Sequence, residues 1–285
     1  MKKFHESRFL GSIVLLIIYT LATLFGIYIY NILNFDWWLN LLIADVSSTI
    51  LVFIFSLMFK NSSVYDPYWS IQPIVITILY MVTYYNNITI DKILLVSIIL
   101  LWGIRLTANF IYTFNGFKYQ DWRYLMLKEK TKKLYPVINF LGIHLFPTIV
   151  VYLCTLPAVY MIINNFEYNY LYLLILLISL TGVIIQTISD IQMHMYRKNK
   201  TTTFIRTGLW KYSRHPNYLG EILMWYGIGL FLALITKKFI YLSGAIINHL
   251  MFLFVSIPLA DGKQSSKEGF NEYKYSTRML LPIKK

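Results

Sequence analysis

Long apolar runs separated by short polar loops recur along the whole chain, and no other feature limits its fold as strongly. Backbone in lipid must satisfy its own hydrogen bonds, so runs near 20 residues read as membrane-spanning helices. Eight candidate spans can be drawn, at roughly 9–33, 39–59, 68–85, 93–113, 137–163, 169–190, 216–235 and 239–257. With 57% hydrophobic and 14% charged residues and a mean hydropathy of +0.56, the composition excludes an ordinary soluble domain. The third run is short, and Pro136, Pro147 and Pro157 predict a kinked or broken fifth. A seven-span version with one re-entrant segment is the alternative. The expected fold is an all-α, polytopic transmembrane bundle of seven or eight spans, one membrane domain over residues 1–285. Met1-Lys2-Lys3 before an apolar run resembles a signal peptide. The run from Phe9 to about Leu33 is too long for one and lacks a small-residue cleavage site, so it reads as a retained first span.

The formal net charge of +13 would suit a nucleic-acid partner, but the positions of the charges exclude one. With eight spans and the N-terminus inside, 22 of the 26 Lys and Arg residues fall on the inner side. The outer loops hold Lys92, Lys237 and Lys238, and Arg105 lies within a span. This is the positive-inside pattern, and it places both termini in the cytoplasm. The single Cys154 excludes an intrachain disulfide and a cysteine zinc site, and the scattered histidines show no ligand spacing, so no metal is expected. Gly227-x-Gly229 lacks the strand a dinucleotide fingerprint needs.

Ionisable residues within spans are costly and therefore informative. Asp45 lies inside the second span, where helix packing and function are equal readings. Asp66-Pro67-Tyr68-Trp69 opens the third, and Asp before Pro is also an ordinary turn signal. Trp102, Arg105 and Asn109 share a face late in the fourth; Arg105 either snorkels to the surface or faces an anion in the bundle. Asp121-Trp122-Arg123-Tyr124 follows in a loop whose lysines 128, 130, 132 and 133 read as a lipid-facing charge run. Gln186, Asp190, His194 and Arg197 form one polar stripe running out of the sixth span, with Gln192 off it. The stripe serves either a ligand or helix packing.

The densest polar and aromatic run is Thr207-Gly208-Leu209-Trp210-Lys211-Tyr212-Ser213-Arg214-His215-Pro216-Asn217-Tyr218-Leu219-Gly220-Glu221. Pro216 suits the first position of a helix, where its missing N–H costs nothing. A helix starting there puts Asn217 and Glu221 on one face. Arg214 and His215 fall at its positive end, where a phosphate is well received. The polar tail from Asp261 to Lys285, with an aromatic every few residues, is expected to fold back on the same mouth.

That run resembles the signature of the steroid 5α-reductase-like membrane proteins, which are similar in turn to sterol C14 and C7 reductases. Asp190-x-Gln192, Trp102 with Arg105, Asp121-x-Arg123-Tyr124 and the tail Phe270-x-x-Tyr273-x-x-Ser276 through Leu281-Pro282 extend the likeness over about residues 100–285. The resemblance implies NADPH bound from the cytoplasmic side by residues 114–285, with the helices of residues 1–113 on the substrate side. It implies that Asn217, Tyr218 and Glu221 contact the nicotinamide and ribose. Arg214, His215, Arg197 and Asp190, with Gln192 and Arg105, would serve the rest of the cofactor, and Tyr273 would close the site. Hydride would pass to an enone β-carbon in a small hydrophobic steroid or isoprenoid while a donor holds the developing enolate oxygen. Asp66, Tyr68 and Tyr124 are the candidates for that donor. Where the family has Glu after Pro-Leu, this chain has Ala260. Arg-His-Pro-x-Tyr also resembles S-adenosylmethionine-dependent membrane methyltransferases, but their later paired glutamates are replaced here by the single Asp261. A non-catalytic lipid-binding protein is the third reading, with the polar stripes as helix glue.

Overall fold

The computed structural model describes residues 7–199 and 202–282; the Met1-Lys2-Lys3 stretch lies outside the described residues. Among the described residues there is no strand, and seven helical stretches are long and apolar enough to cross a membrane. The chain opens with α1 (Arg8–Ile32) and α2 (Trp37–Met58). Ser7 caps α1 by accepting from the Leu10 N–H at 3.3 Å. The third candidate span folds as α3 (Tyr68–Thr83), which has 16 residues and an internal Pro73. At 1.5 Å per residue it reaches about 24 Å, short of a hydrocarbon core near 30 Å. By length it falls outside the seven helical stretches that are long and apolar enough to cross a membrane.

Next come α4 (Ile90–Thr113) and a long run, Trp122–Ile163. The run is broken where its prolines require. Helix α5 (Trp122–Thr131) ends at Lys132, which takes a φ of 46°, and after a tight turn at Lys132–Leu134 a short helical turn, Tyr135–Ile138, carries Pro136 at its start. A π-helical segment, Asn139–Leu145, then leads to α6 (Phe146–Ile163), with Pro147 in its first turn and Pro157 inside. The stretch Tyr170–Asn199 holds α7 (Leu176–Asn199), followed by α8 (Pro216–Thr236). Phe239–Gln264 combines α9 (Ser243–Met251), a π-helical turn and α10 (Ile257–Gln264), and α11 (Phe270–Ser276) is the last helix of the described residues.

The helices form two compact units. The first comprises Met1–Tyr85 and Trp102–Val159, the second Asn86–Leu101 and Tyr160–Lys285. In the first, α1 and α2 pack through small residues, with Ser48 Oγ donating to the Ala22 carbonyl at 2.8 Å and meeting Gly26. Tyr19, Val52, Tyr65, Tyr68, Phe114 and Phe117 form part of its apolar core. In the second, α7 lies against α8 at glycine–glycine distance. A Cβ on Gly182 would sit 2.5 Å from the Gly220 carbonyl, and Ser179 Oγ donates to the Met224 carbonyl at 2.7 Å. Lys92, assigned above to an outer loop, is buried in the first turn of α4. Its ammonium donates to the Asn87 and Ile162 carbonyls and to Asn165 Oδ1 at 2.8, 3.2 and 2.8 Å, which ties loop ends together in the second unit.

Candidate functional site

The signature run folds around Pro216 as expected. It begins with a tight turn at Gly208–Lys211, where Gly208 takes a φ of +60° that side chains resist. Gln192 packs against that glycine, and its Oε1 accepts the Leu209 N–H at 2.9 Å. Trp210 Nε1 donates to the Ser189 carbonyl at 3.2 Å, so both ends of the turn are anchored on α7. Gln192, off the polar stripe in sequence, thus sits under the signature itself.

Arg214 and His215 converge on Asp261. Arg214 Nη2 lies 3.1 Å from Asp261 Oδ2, and His215 Nε2 lies 3.0 Å from Oδ1, all three side chains being buried. Lys274 stands 3.8 Å from the same carboxylate and is half exposed. The tail docks here. Arg214 Nη1 donates to the Lys274 and Thr277 carbonyls at 3.1 and 2.5 Å, and the Arg214 and His215 N–H groups donate to the Arg278 and Met279 carbonyls at 3.0 and 3.2 Å. Tyr273 donates its hydroxyl to the Trp210 carbonyl. Burial raises the Tyr273 phenol, against the opposing pull of Arg214.

On α8 the carboxylate of Glu221 is engaged by chain partners. Gln186 Nε2 donates to Oε2 at 2.5 Å and Trp225 Nε1 to Oε1 at 2.8 Å. Tyr218 stacks on His215 with ring centres 5.2 Å apart and planes 4° apart, and it also meets Phe252 with ring centres 4.7 Å apart. Asn217 differs: its Oδ1 is buried and has no hydrogen-bond partner, and Arg214 Nε is in the same condition. These two orphaned atoms fit an incoming polar ligand, since a buried unsatisfied amide or guanidinium atom carries a desolvation cost. Asp190 and His194 are half-buried on α7, and Arg197 is exposed in its last turn.

The remaining candidates belong to the first unit. Arg105 follows Trp102 on α4, and Trp102 packs edge-on against Trp69 with centres 5.8 Å apart. Tyr124 donates its hydroxyl to Asp66 Oδ1, while Asp121 caps α5 through the Arg123 N–H at 2.8 Å and accepts Arg123 Nε at 2.8 Å. Desolvation pushes the Asp66 carboxyl up to about 6, opposed by the Arg123 charge and the Tyr124 hydrogen bond. A folded value above the ordinary carboxylate value means that the folded state holds the proton more tightly. Stability of this unit is therefore expected to fall as pH rises from about 4 through 6 and to level off above. Denaturation midpoints across that range would show the slope, and Asp66→Asn should flatten it.

Tyr68 stands apart from Asp66 and Tyr124. It lines a cavity of about 470 Å³ between α1, α2 and α3, together with Asp45 and Gln72. Inside it Gln72 Nε2 donates to Asp45 Oδ2, and the Tyr68 hydroxyl reaches the same carboxyl. Sequence reasoning left Asp45 undecided and did not single out Gln72. Their one signal was a pair of polar residues facing inward from two apolar helices, whose meeting only the fold reveals. Asp261 was likewise read only as an unpaired acid.

Seven apolar helical stretches, with buried polar clusters at Asp261 and Glu221, define a multi-pass helical membrane protein. The chain belongs to the family described as "Protein of unknown function (DUF1295)", a steroid 5α-reductase-like family, which matches residues 52–277. Among its relatives is "Uncharacterized protein C594.04c" of Schizosaccharomyces pombe (strain 972 / ATCC 24843), 25% identical over 208 residues, which are 63% of this chain and 60% of the relative. The chain thus spans less than two thirds of that relative's length. No solved structure matches.

Proposed function

We propose that this protein is an integral-membrane, NADPH-dependent reductase of a carbon–carbon double bond in a lipid-like steroid or isoprenoid enone. The observation that carries this reading is the orphaned Asn217 Oδ1, buried one helical turn before Glu221 inside the reductase-like signature. When bound, NADPH supplies a hydride. Asn217 Oδ1 would accept an amide N–H of the nicotinamide, and Arg214 Nε would donate to an anionic or hydroxyl oxygen. Glu221, fixed by Gln186 and Trp225, would orient the face from which Asn217 projects. Asp261 positions Arg214 and His215, and the His215–Tyr218 stack sets the rim of the site. Asp190, Gln192 and Arg197 extend from the same rim along α7, and Tyr273 holds the tail over it from the cytoplasmic side. In the first unit Tyr68 would hold the enone oxygen by hydrogen bond, with Asp66 and Tyr124 supporting the loop that precedes it.

Thermal-shift titration of the detergent-purified protein tests the reading. NADPH should raise the melting midpoint, since a ligand bound only to the folded state stabilises it by mass action. Asn217→Ala should weaken that response at least tenfold while leaving the unliganded midpoint within a few degrees. Stabilisation by S-adenosylmethionine and not by NADPH would instead support a methyltransferase, and a response to neither would leave the lipid-binding reading.

A further inference from the structure

We infer that Gln72 recognises the ligand oxygen in its protonated form: Gln72 Oε1 accepts the O–H of the enol made when hydride reaches the enone. The inference deepens the reductase reading and rests on its placing the enone oxygen at Tyr68. It concerns the first unit alone.

Gln72 lies on α3 one turn after Tyr68 and is 5% exposed. Its Nε2 donates to Asp45 Oδ2, and the Tyr68 hydroxyl reaches the same carboxyl. A carboxylate only accepts, so the amide turns its N–H side to Asp45 and its oxygen away. Gln72 lines the cavity, and its Oε1 is buried with no hydrogen-bond partner among the described residues. An unpaired buried acceptor carries a desolvation cost, so the chamber is short of one donor beside Tyr68. The lining does not supply it. Ser48 Oγ gives its hydrogen to the Ala22 or Ala44 carbonyl, at 2.8 and 3.0 Å. Tyr80 donates to Tyr30 Oη at 2.9 Å, and the hydrogen that Tyr30 keeps serves the far end, since Tyr80 lies about 12 Å beyond Gln72 on α3.

Enone and enol differ at this point. The enone oxygen accepts from Tyr68 and gives Gln72 nothing. Hydride then adds to the β-carbon, the alkene pair shifts to the bond between the α-carbon and the carbonyl carbon, and the carbonyl π pair moves to oxygen. A proton drawn from solvent through the Tyr68 hydroxyl forms the O–H bond. The enol oxygen so made still accepts from Tyr68 and now donates to Gln72 Oε1. When the α-carbon takes a proton, the O–H proton returns to solvent and the saturated ketone is left. A contact made with the product of hydride transfer and not with the enone favours the reaction over the ground-state complex.

A phenol is a locked enol, and its methyl ether keeps the ring and the acceptor without the O–H. The test is equilibrium binding of tritiated 4-octylphenol to the full chain in lipid nanodiscs, with 4-octylanisole and 4-octylcyclohex-2-enone as competitors. Empty nanodiscs measure partition into lipid. Saturable binding is expected, with the phenol about tenfold or more tighter than the anisole and the enone, as for one hydrogen bond to a buried acceptor. Gln72→Met, similar in length but apolar, should remove that preference and leave the anisole and the enone within about twofold of wild type. Tyr68→Phe should weaken all three ligands together and keep the ratio of phenol to anisole. Equal affinity for phenol and anisole in the wild type, a preference that survives Gln72→Met, or no saturable binding would overturn the inference. Equal loss of all three ligands in Gln72→Met would show that Gln72 donates, and would overturn it too. The wild-type ratio needs no variant, so the inference stays testable if Gln72→Met folds poorly. If Tyr68→Phe binds all three like wild type, the place given to Tyr68 in the reductase reading fails while the contact at Gln72 stands. Because no NADPH is added, none of these outcomes depends on the cofactor site of the second unit.

Discussion

Replacing Asp261 by alanine is expected to lower the stability of the second unit by about 3–5 kcal/mol, the range for removing one partner of a buried ion pair. The size follows from what the change leaves behind. Arg214 and His215 are both buried, and Asp261 is the carboxylate that faces them. Without it a guanidinium remains in a desolvated pocket whose other acceptors are the Lys274 and Thr277 carbonyls. Those carbonyls belong to the tail, so the tail should loosen together with the pair. Asp261→Asn should cost less, because the amide oxygen still accepts although the charge is gone. Melting midpoints in detergent give the stability change, and limited proteolysis after residue 264 reports the tail. A variant that melts like wild type with a protected tail would show that backbone pairing, not Asp261, holds the mouth together.

The second large effect is expected at the α7–α8 contact. Gly220→Val should destabilise by about 1–3 kcal/mol or more, the usual cost of forcing atoms into a packed interface. A Cβ at Gly220 would lie 2.5 Å from the Gly182 carbonyl and 2.5 Å from Gln186 Cγ. The first of these is backbone and cannot rotate away. The helices must part, and Gln186 must leave Glu221, to which it is bonded at 2.5 Å. On the proposed reading, loss of NADPH stabilisation should accompany the loss of stability. Gly262→Ala is the control. Nothing lies within 4 Å of the added methyl group, and alanine is the better helix former by about 1 kcal/mol, so its midpoint should hold or rise. A tolerated valine at 220 would mean the helices slide freely, against the membrane rule that small residues set close approach.

Much of this molecule could be read from the residues because the relevant physics is local. Hydropathy over 20 residues decides which segments can lie in lipid, and all-α architecture follows since lipid offers no backbone partner. Pro216 marks a helix start and Pro136 a break for reasons of φ and a missing N–H, and both act there. The spacing of Asn217 and Glu221 is fixed by 3.6 residues per turn, as is the stripe from Gln186 to Arg197.

Partners distant in sequence were another matter. That Arg214 and His215 meet Asp261, 47 and 46 residues away, depends on how α10 and the tail return to the start of α8. That Asp45 meets Gln72 depends on the packing of α2 against α3, and Lys92 was an outer-loop charge until the ends of α4 and α6 enclosed it. Periodicity states which face of a helix is polar but not which other face it meets. Contact across helices is settled by side-chain packing and loop closure, which no single segment encodes. Sequence alone therefore determined the membrane fold and the place of the signature, and tertiary structure decided which of its charges are spent within the protein and which polar atoms stay open to a ligand.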